Sequence, residues 1–153
     1  AKFALDGQWL ATGVTNKGTL LTSELTLDDL GLDKAQFSQH WLIIYNLPNT
    51  CAQDCQKTLT AVQNTHTALG KDKPRVMPVA LYQNNSTTSQ LADFPTNHWQ
   101  LIAMPSKGKT LITKAQIFIV DPLGNIFLSH QIPQFGKHIL ADMKKLLKYS
   151  KVG

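Results

Sequence analysis

Trp41-Leu42-Ile43-Ile44-Tyr45-Asn46-Leu47-Pro48-Asn49-Thr50-Cys51-Ala52-Gln53-Asp54-Cys55 is the stretch whose reading decides the fold. Its apolar run, Trp41 to Tyr45, reads as a buried strand. A short turn follows, and then two cysteines four positions apart, the chain's whole complement. Beyond them Leu59, Val62, His66 and Leu69 recur near the 3.6-residue period, so Ala52 to Leu69 is expected to be a helix, with Gly70 as its stop. A dithiol where a strand turns into a helix suits thiol redox and copper(I) chemistry. The helix N-terminus offers free N–H groups and partial positive charge, which favour thiolate. Asp54, between the two cysteines, acts in the opposite direction.

The spacing constrains the geometry. Positions four apart in a regular helix have Cβ atoms about 5–6 Å apart, whereas a disulfide needs roughly 3.8 Å. Cys51 is therefore expected in the turn or at the first helical position, more exposed and the attacking sulfur, with Cys55 as its resolving partner. Reduced, the same pair can hold a soft ion such as copper(I). Two other readings stay open: a structural disulfide and a pair of free buried thiols. A five-residue loop removes little chain entropy, about 2 kcal/mol against about 4.7 for a 100-residue loop, so stability alone is a weak reason for this bridge.

Outward from this centre, Lys73-Pro74 leads into a second strand, Arg75 to Tyr82, in which Pro78 argues for an edge, a bulge or imperfect pairing. Residues 83–97 are polar and turn-rich and read as a loop, with a turn of helix around Gln90–Ala92. His98 to Ala103 reads as a short strand and Ser106-Lys107-Gly108-Lys109 as a turn. Ala115 to Val120, Asp121-Pro122-Leu123-Gly124-Asn125 and Ile126 to His130 form the clearest hairpin. Residues 136–150 read as an amphipathic helix with Ile139, Leu140, Met143, Leu146 and Leu147 on one face. Toward the N-terminus, Gln8–Val14, a turn at Asn16-Lys17-Gly18 and Thr19–Thr22 suggest a leading hairpin. Thr26 to Gly31 reads as a helical turn stopped by glycine. Strand, helix, strand implies a right-handed parallel crossover, and the later hairpin adds antiparallel strands. The expected fold is α/β, a thioredoxin-like mixed central sheet flanked by helices with an added N-terminal hairpin. Residues 1–153 form one domain in this reading, with 1–25 as an N-terminal extension.

Composition narrows the function. At 153 residues, 42% apolar and 16% charged, the chain can bury a core without a staple. The formal net charge is +5, with Lys144, Lys145, Lys148 and Lys151 concentrated near the C-terminus as a solvated helix face. No aromatic-plus-basic pattern argues for nucleic acid, and no apolar run of about 18 residues argues for a membrane span. There is no phosphate-binding glycine loop and no serine nucleophile elbow. Trp9, Trp41 and Trp99 are expected in the core or an interface. The opening Ala1-Lys2-Phe3 is read as a form from which a leader or membrane anchor has been removed.

Strand, CxxxC, helix and the later Phe118-Ile119-Val120-Asp121-Pro122-Leu123-Gly124-Asn125 together resemble the Sco (Sco/SenC) family from about Trp41 to Tyr149. The leading Asn16-Lys17-Gly18-Thr19-Leu20-Leu21 is similar to a divergent bacterial branch. The resemblance implies a thioredoxin fold anchored at the outer face of the cytoplasmic membrane, or in the periplasm. It also implies a part in cytochrome c oxidase assembly, with an oxidase subunit or another thiol or copper protein as partner. Sco proteins bind copper through two cysteines and a histidine five residues before the aromatic of the Tyr/Phe-x-x-Asp-Pro strand. Here Thr113 stands at that place. A thioredoxin-type redox enzyme would carry a proline just before this strand, and Ile112 to Gln116 holds none. His98 is the best substitute ligand. His66 is expected to be packed or capping, and His40, His130 and His138 to be surface residues. Three functions compete: Sco-like handling of copper(I) or thiols, a thiol–disulfide oxidoreductase using Cys51 and Cys55, and a degenerate binding domain with a structural disulfide.

Overall fold

The computed structural model describes residues 19–37, 40–84, 99–131 and 136–149. The leading strand at Gln8–Val14, the turn at 16–18, the helical turn at Gln90–Ala92 and His98 lie outside these. Six strands form one sheet: β1 (Thr19–Thr26), β2 (Trp41–Asn46), β3 (Val76–Tyr82), β4 (Gln100–Ala103), β5 (Gln116–Val120) and β6 (Asn125–Gln131), in the order β1-β6-β5-β2-β3-β4. Among the described residues three α-helices accompany them: α1 (Gln53–Ala68) between β2 and β3, α2 (Ser106–Leu111) between β4 and β5, and α3 (Gly136–Tyr149) after β6. The α/β class and the mixed thioredoxin-like sheet agree with the sequence.

All six residues of β2 are buried, because the strand has a partner on each side and a core on each face. It runs parallel to β3, with Trp41 opposite Val76 and Asn46 opposite Leu81. It runs antiparallel to β5, with Leu42 opposite Val120 and Tyr45 opposite Ile117. Alternation along the strand then sorts the side chains. Trp41, Ile43 and Tyr45 join Leu59 and Val62 of α1, Met143 and Leu146 of α3, and both cysteines in one core. Leu42 and Ile44 join Leu27, Leu30, Phe37, Val79, Met104 and Phe118 in a second core on the opposite face.

Pro78 is accommodated by a local edge. β3 meets β2 from Val76 onward, but its pairing with β4 begins only at Val79. Of the expected N-terminal hairpin, the second arm is β1, which pairs antiparallel with β6. The β5–β6 turn is fixed by Asp121, whose Oδ1 accepts from the N–H groups of Leu123 and Asn125, each at 2.9 Å. Burial pushes the Asp121 carboxyl above its usual range, and the bonds from Asn125 and Leu123 pull it part of the way back.

One expectation is corrected. Ser106 to Lys109 is not a turn but the start of α2. Gly108 is there for close packing rather than for a bend. A Cβ at that position would lie 2.7 Å from Met104 Sδ and 2.9 Å from the Leu30 carbonyl oxygen. Leu30 belongs to the 3-10 turn Asp28–Leu30, which ends at Gly31 with φ of 82°. Thus glycine lets α2 lie against that turn.

Gly108→Ala should therefore destabilise the protein by about 1–3 kcal/mol, as overpacking does, although alanine is the better helix former by about 1 kcal/mol. Urea unfolding of the two proteins measures the difference, and an unchanged or raised midpoint would contradict the packing assignment.

Candidate dithiol site

The site begins where β2 runs out. Asn46 is its last residue, and Leu47 still donates its N–H to Leu81 O at 2.9 Å. Pro48, Asn49 and Thr50 turn the chain toward α1, whose N-cap position is held by extended Ala52 with no side-chain capping bond. Cys51 lies in this turn and Cys55 in the first turn of the helix. They are joined by a disulfide with a Cα–Cα separation of 5.0 Å, inside the 4.4–6.8 Å range such bonds use. Placing Cys51 ahead of the helix makes the short span possible. The expected exposure of Cys51 is not found: Cys51 is 2% exposed and Cys55 5%. Both sulfurs sit in the core shared with Tyr45, Leu47 and Trp99. The Trp99 indole N–H is buried without a partner among the described residues.

Beneath the dithiol, Tyr45 ties strand to helix. Its hydroxyl is hydrogen-bonded to the side chain of Thr58, and the Thr58 hydroxyl donates to Asp54 O at 3.0 Å. Burial pushes the Tyr45 phenol from 10.0 up to about 12; the Thr58 bond lowers it and the Asp54 charge raises it further.

Facing this turn is the approach to β5. Asn46, Leu47, Pro48 and Asn49 share a cavity of about 400 Å³ with Thr113, Lys114 and Ala115. Thr113, which the Sco resemblance equates with the missing histidine, thus stands across from the segment that leads into Cys51. Asn46 is buried and braces the gap: its Nδ2 donates to Lys114 O at 3.0 Å, and its Oδ1 accepts from Gln83 Nε2 at 2.6 Å. Neither Asn46 nor Gln83 stood out in the sequence. A polar residue closing an apolar strand was the only signal for Asn46, and for Gln83 there was none.

The histidines divide as follows. His66 is buried, and its Nε2–H donates to Lys73 O at 3.0 Å. It is a packed capping residue, as expected. Burial lowers its pKa, the bonds to Lys73 and Val76 raise it, and the Lys73 charge lowers it. His40 is half-buried rather than on the surface, with Nδ1–H donating to Phe37 O at 2.8 Å. The side chains of His130 and His138, like all of His98, lie outside the described residues. Among the described residues no three His, Cys, Asp or Glu side chains gather as a metal-binding group, and no helix is long and apolar enough to cross a membrane.

A mixed sheet with a disulfide at its first strand–helix junction defines a thioredoxin-like dithiol protein. The profile of the family described as "transmembrane-like, thioredoxin-like, C-terminal domain" matches residues 41–150, and the chain belongs to that family. No curated protein sequence matches it. Solved structures show the same fold at low identity, and several are Sco proteins. Copper-bound ScoI of Arabidopsis thaliana is 14% identical, with a TM-score of 0.60 over 86% of this chain and 99% of that one. A SCO1/SenC family lipoprotein from Bacillus anthracis is 14% identical, with a TM-score of 0.55 over 85% and 95%. The thioredoxin domain of a thiol-disulfide oxidoreductase from Bacteroides vulgatus is 16% identical, with a TM-score of 0.55 over 84% and 90%.

Two pH dependences follow from the buried groups. The folded state holds the Tyr45 proton more tightly than the unfolded chain does. Its share of stability is therefore complete below about pH 10 and is lost as pH rises toward about 12. Tyr45→Phe should abolish this one-proton alkaline loss, and pH-dependent urea unfolding reads it directly. His66 acts at the other end. Its folded pKa is lowered, so its share is complete above the unfolded value near 6.5 and is lost as pH falls below it. A proton uptake on unfolding that is the same in His66→Gln as in the parent between about pH 6.5 and pH 5 would remove His66 as its source.

Proposed function

We propose that this is a Sco-like extracytoplasmic assembly domain. Its Cys51–Cys55 pair exchanges with the thiols of a partner protein during cytochrome c oxidase maturation. The observation that supports this reading is the placement of the disulfide: one sulfur in a turn and the other in the first turn of α1, with Pro48 and Asn49 of that turn lining the same cavity as Thr113 and Lys114 ahead of β5. In thiol–disulfide exchange a partner thiolate attacks one sulfur of the bridge, forms a mixed disulfide and releases the other as thiolate. A second thiolate of the partner then attacks the mixed disulfide, so that the partner is oxidised by two electrons and the Cys51/Cys55 pair is left reduced. In the opposite direction Cys55 attacks the mixed disulfide, re-forms the bridge and releases the partner as a dithiol. Cys51, ahead of the helix, is the sulfur proposed to form the mixed disulfide. Cys55, held by the helix, is suited to resolve it. Both sulfurs are buried, so a partner must displace their cover. The exposed part of the turn, Asn49 and Thr50, is where a partner would first meet the chain ahead of Cys51.

Copper(I) is the second reading, and the closeness of the two sulfurs favours it. Two-electron reduction by a partner dithiol leaves two thiolates near enough for one soft ion. Cys51 and Cys55 would hold it, with His98 as the proposed third ligand. Copper(II), which prefers nitrogen and oxygen donors in a tetragonal set, is poorly served by two sulfurs alone. Membrane attachment through a segment preceding residue 1, and a single domain spanning 1–153 with 1–25 as its extension, complete the proposal.

A redox titration with glutathione should place the dithiol above about −300 mV, because more resistant bridges are structural. A lower potential would leave the degenerate-domain reading in possession. Anaerobic copper(I) titration of the reduced protein should give one equivalent that Cys51→Ser abolishes and His98→Ala weakens. Equal uptake by the parent and Cys51→Ser would end the copper reading.

A further inference from the structure

The cavity beside the turn that leads into Cys51 has a charge character that neither thiol exchange nor copper binding requires. Its rim carries Lys109 of α2 and Lys114 of the β5 approach, both exposed, and among the described residues its lining holds no acidic side chain. Lys109 spends one donor on Gln83 O at 3.1 Å, which fixes its ammonium over the cavity and leaves two N–H groups for a ligand. At the floor, the buried Asn46 carboxamide commits one N–H to Lys114 O, which leaves its second N–H. Thr113 adds an exposed hydroxyl. The side-chain donors therefore converge with positive charge, and such a set recognises a carboxylate. The volume, about 400 Å³, exceeds one carboxylate and lies in the range of sites that enclose a side chain with its neighbours. Asn49, in the wall, is two residues from Cys51.

We propose that this cavity receives an acidic side chain of the protein whose thiol meets Cys51 and Cys55, so that the partner segment carries Asp or Glu close to its cysteine. The proposal rests on the thiol-exchange reading for the identity of the partner, but the binding step does not depend on the dithiol. Asn46, held at both ends by Lys114 and Gln83, keeps the two walls of the cavity at a fixed separation, so the site is formed before the partner arrives.

The test uses two labelled peptides in which serine replaces the cysteine, one flanked by Glu and one by Gln, followed by fluorescence polarisation. The Glu peptide should bind about tenfold more tightly, a difference of about 1.4 kcal/mol, and the preference should shrink at high ionic strength. K109Q/K114Q should remove the preference. K71Q/K144Q, which deletes equal charge outside the cavity, should keep it. An equal preference in all three proteins would reduce the effect to net charge and overturn the site. Displacement of the peptide by succinate at matched concentration would show a small-anion site and overturn the peptide assignment. Because serine cannot exchange, an acidic preference without any thiol exchange by the cysteine peptides would sink the redox reading and leave the cavity. Exchange without the preference would do the reverse.

Discussion

Burial of β2 on both faces is the constraint on which the rest of the structure depends. Large side chains such as Trp41, Ile43 and Tyr45 on one face, and Leu42 and Ile44 on the other, are each worth about 1.5–3 kcal/mol when removed from water. A one-residue slip against β3 or β5 would exchange the two sets, sending the tryptophan and tyrosine face into a core shaped for leucine and isoleucine. The register is therefore held from both sides, and so is the point at which the strand ends. Everything chemical hangs from that point: Asn46, the turn, and the two sulfurs.

The polar groups near the strand end reinforce this. A buried carboxamide without partners would cost about 1–3 kcal/mol; Asn46 instead joins three segments through Lys114 and Gln83. Tyr45 and Thr58 do the same one layer deeper, linking β2 to the carbonyl that lies between the cysteines. The dithiol is thus mounted on a frame of hydrogen bonds that ties the end of β2 to α1 and to the approach to β5.

Much of this was legible in the sequence. The apolar run at 41–45, the period of α1, the hairpin around Asp121 and the face of α3 each carry a local signal that tertiary packing reinforces, and the structure keeps them. Ser106–Lys109 was misread because lysine, serine and glycine signal a turn locally, whereas the need for a small residue at 108 comes from Leu30 and Met104, which no local pattern reveals. The exposure of Cys51 was misjudged for a related reason. Position in a turn predicts access, but both sulfurs belong to a core that also gathers residues far away in the chain, Trp99, Ile117 and Met143 among them. The cavity formed by Asn46, Gln83, Lys109 and Lys114 is likewise a product of topology, assembled from four separate segments.

One feature of α1 gives the disulfide a second meaning. A helix start usually recruits Ser, Thr, Asp or Asn to close its loose N–H groups, an interaction worth about 1 kcal/mol; this one has alanine there and no capping bond. The bond from Cys51 to Cys55 clamps the residue before the cap to the first turn, a covalent restraint where a polar side chain would have supplied a hydrogen bond. When the sulfurs part, the helix loses its clasp. Reduction would remove that covalent restraint from residues 52–55 and leave the helix start with neither bridge nor cap, so amide hydrogen exchange in this one turn would report the electrons held by the pair.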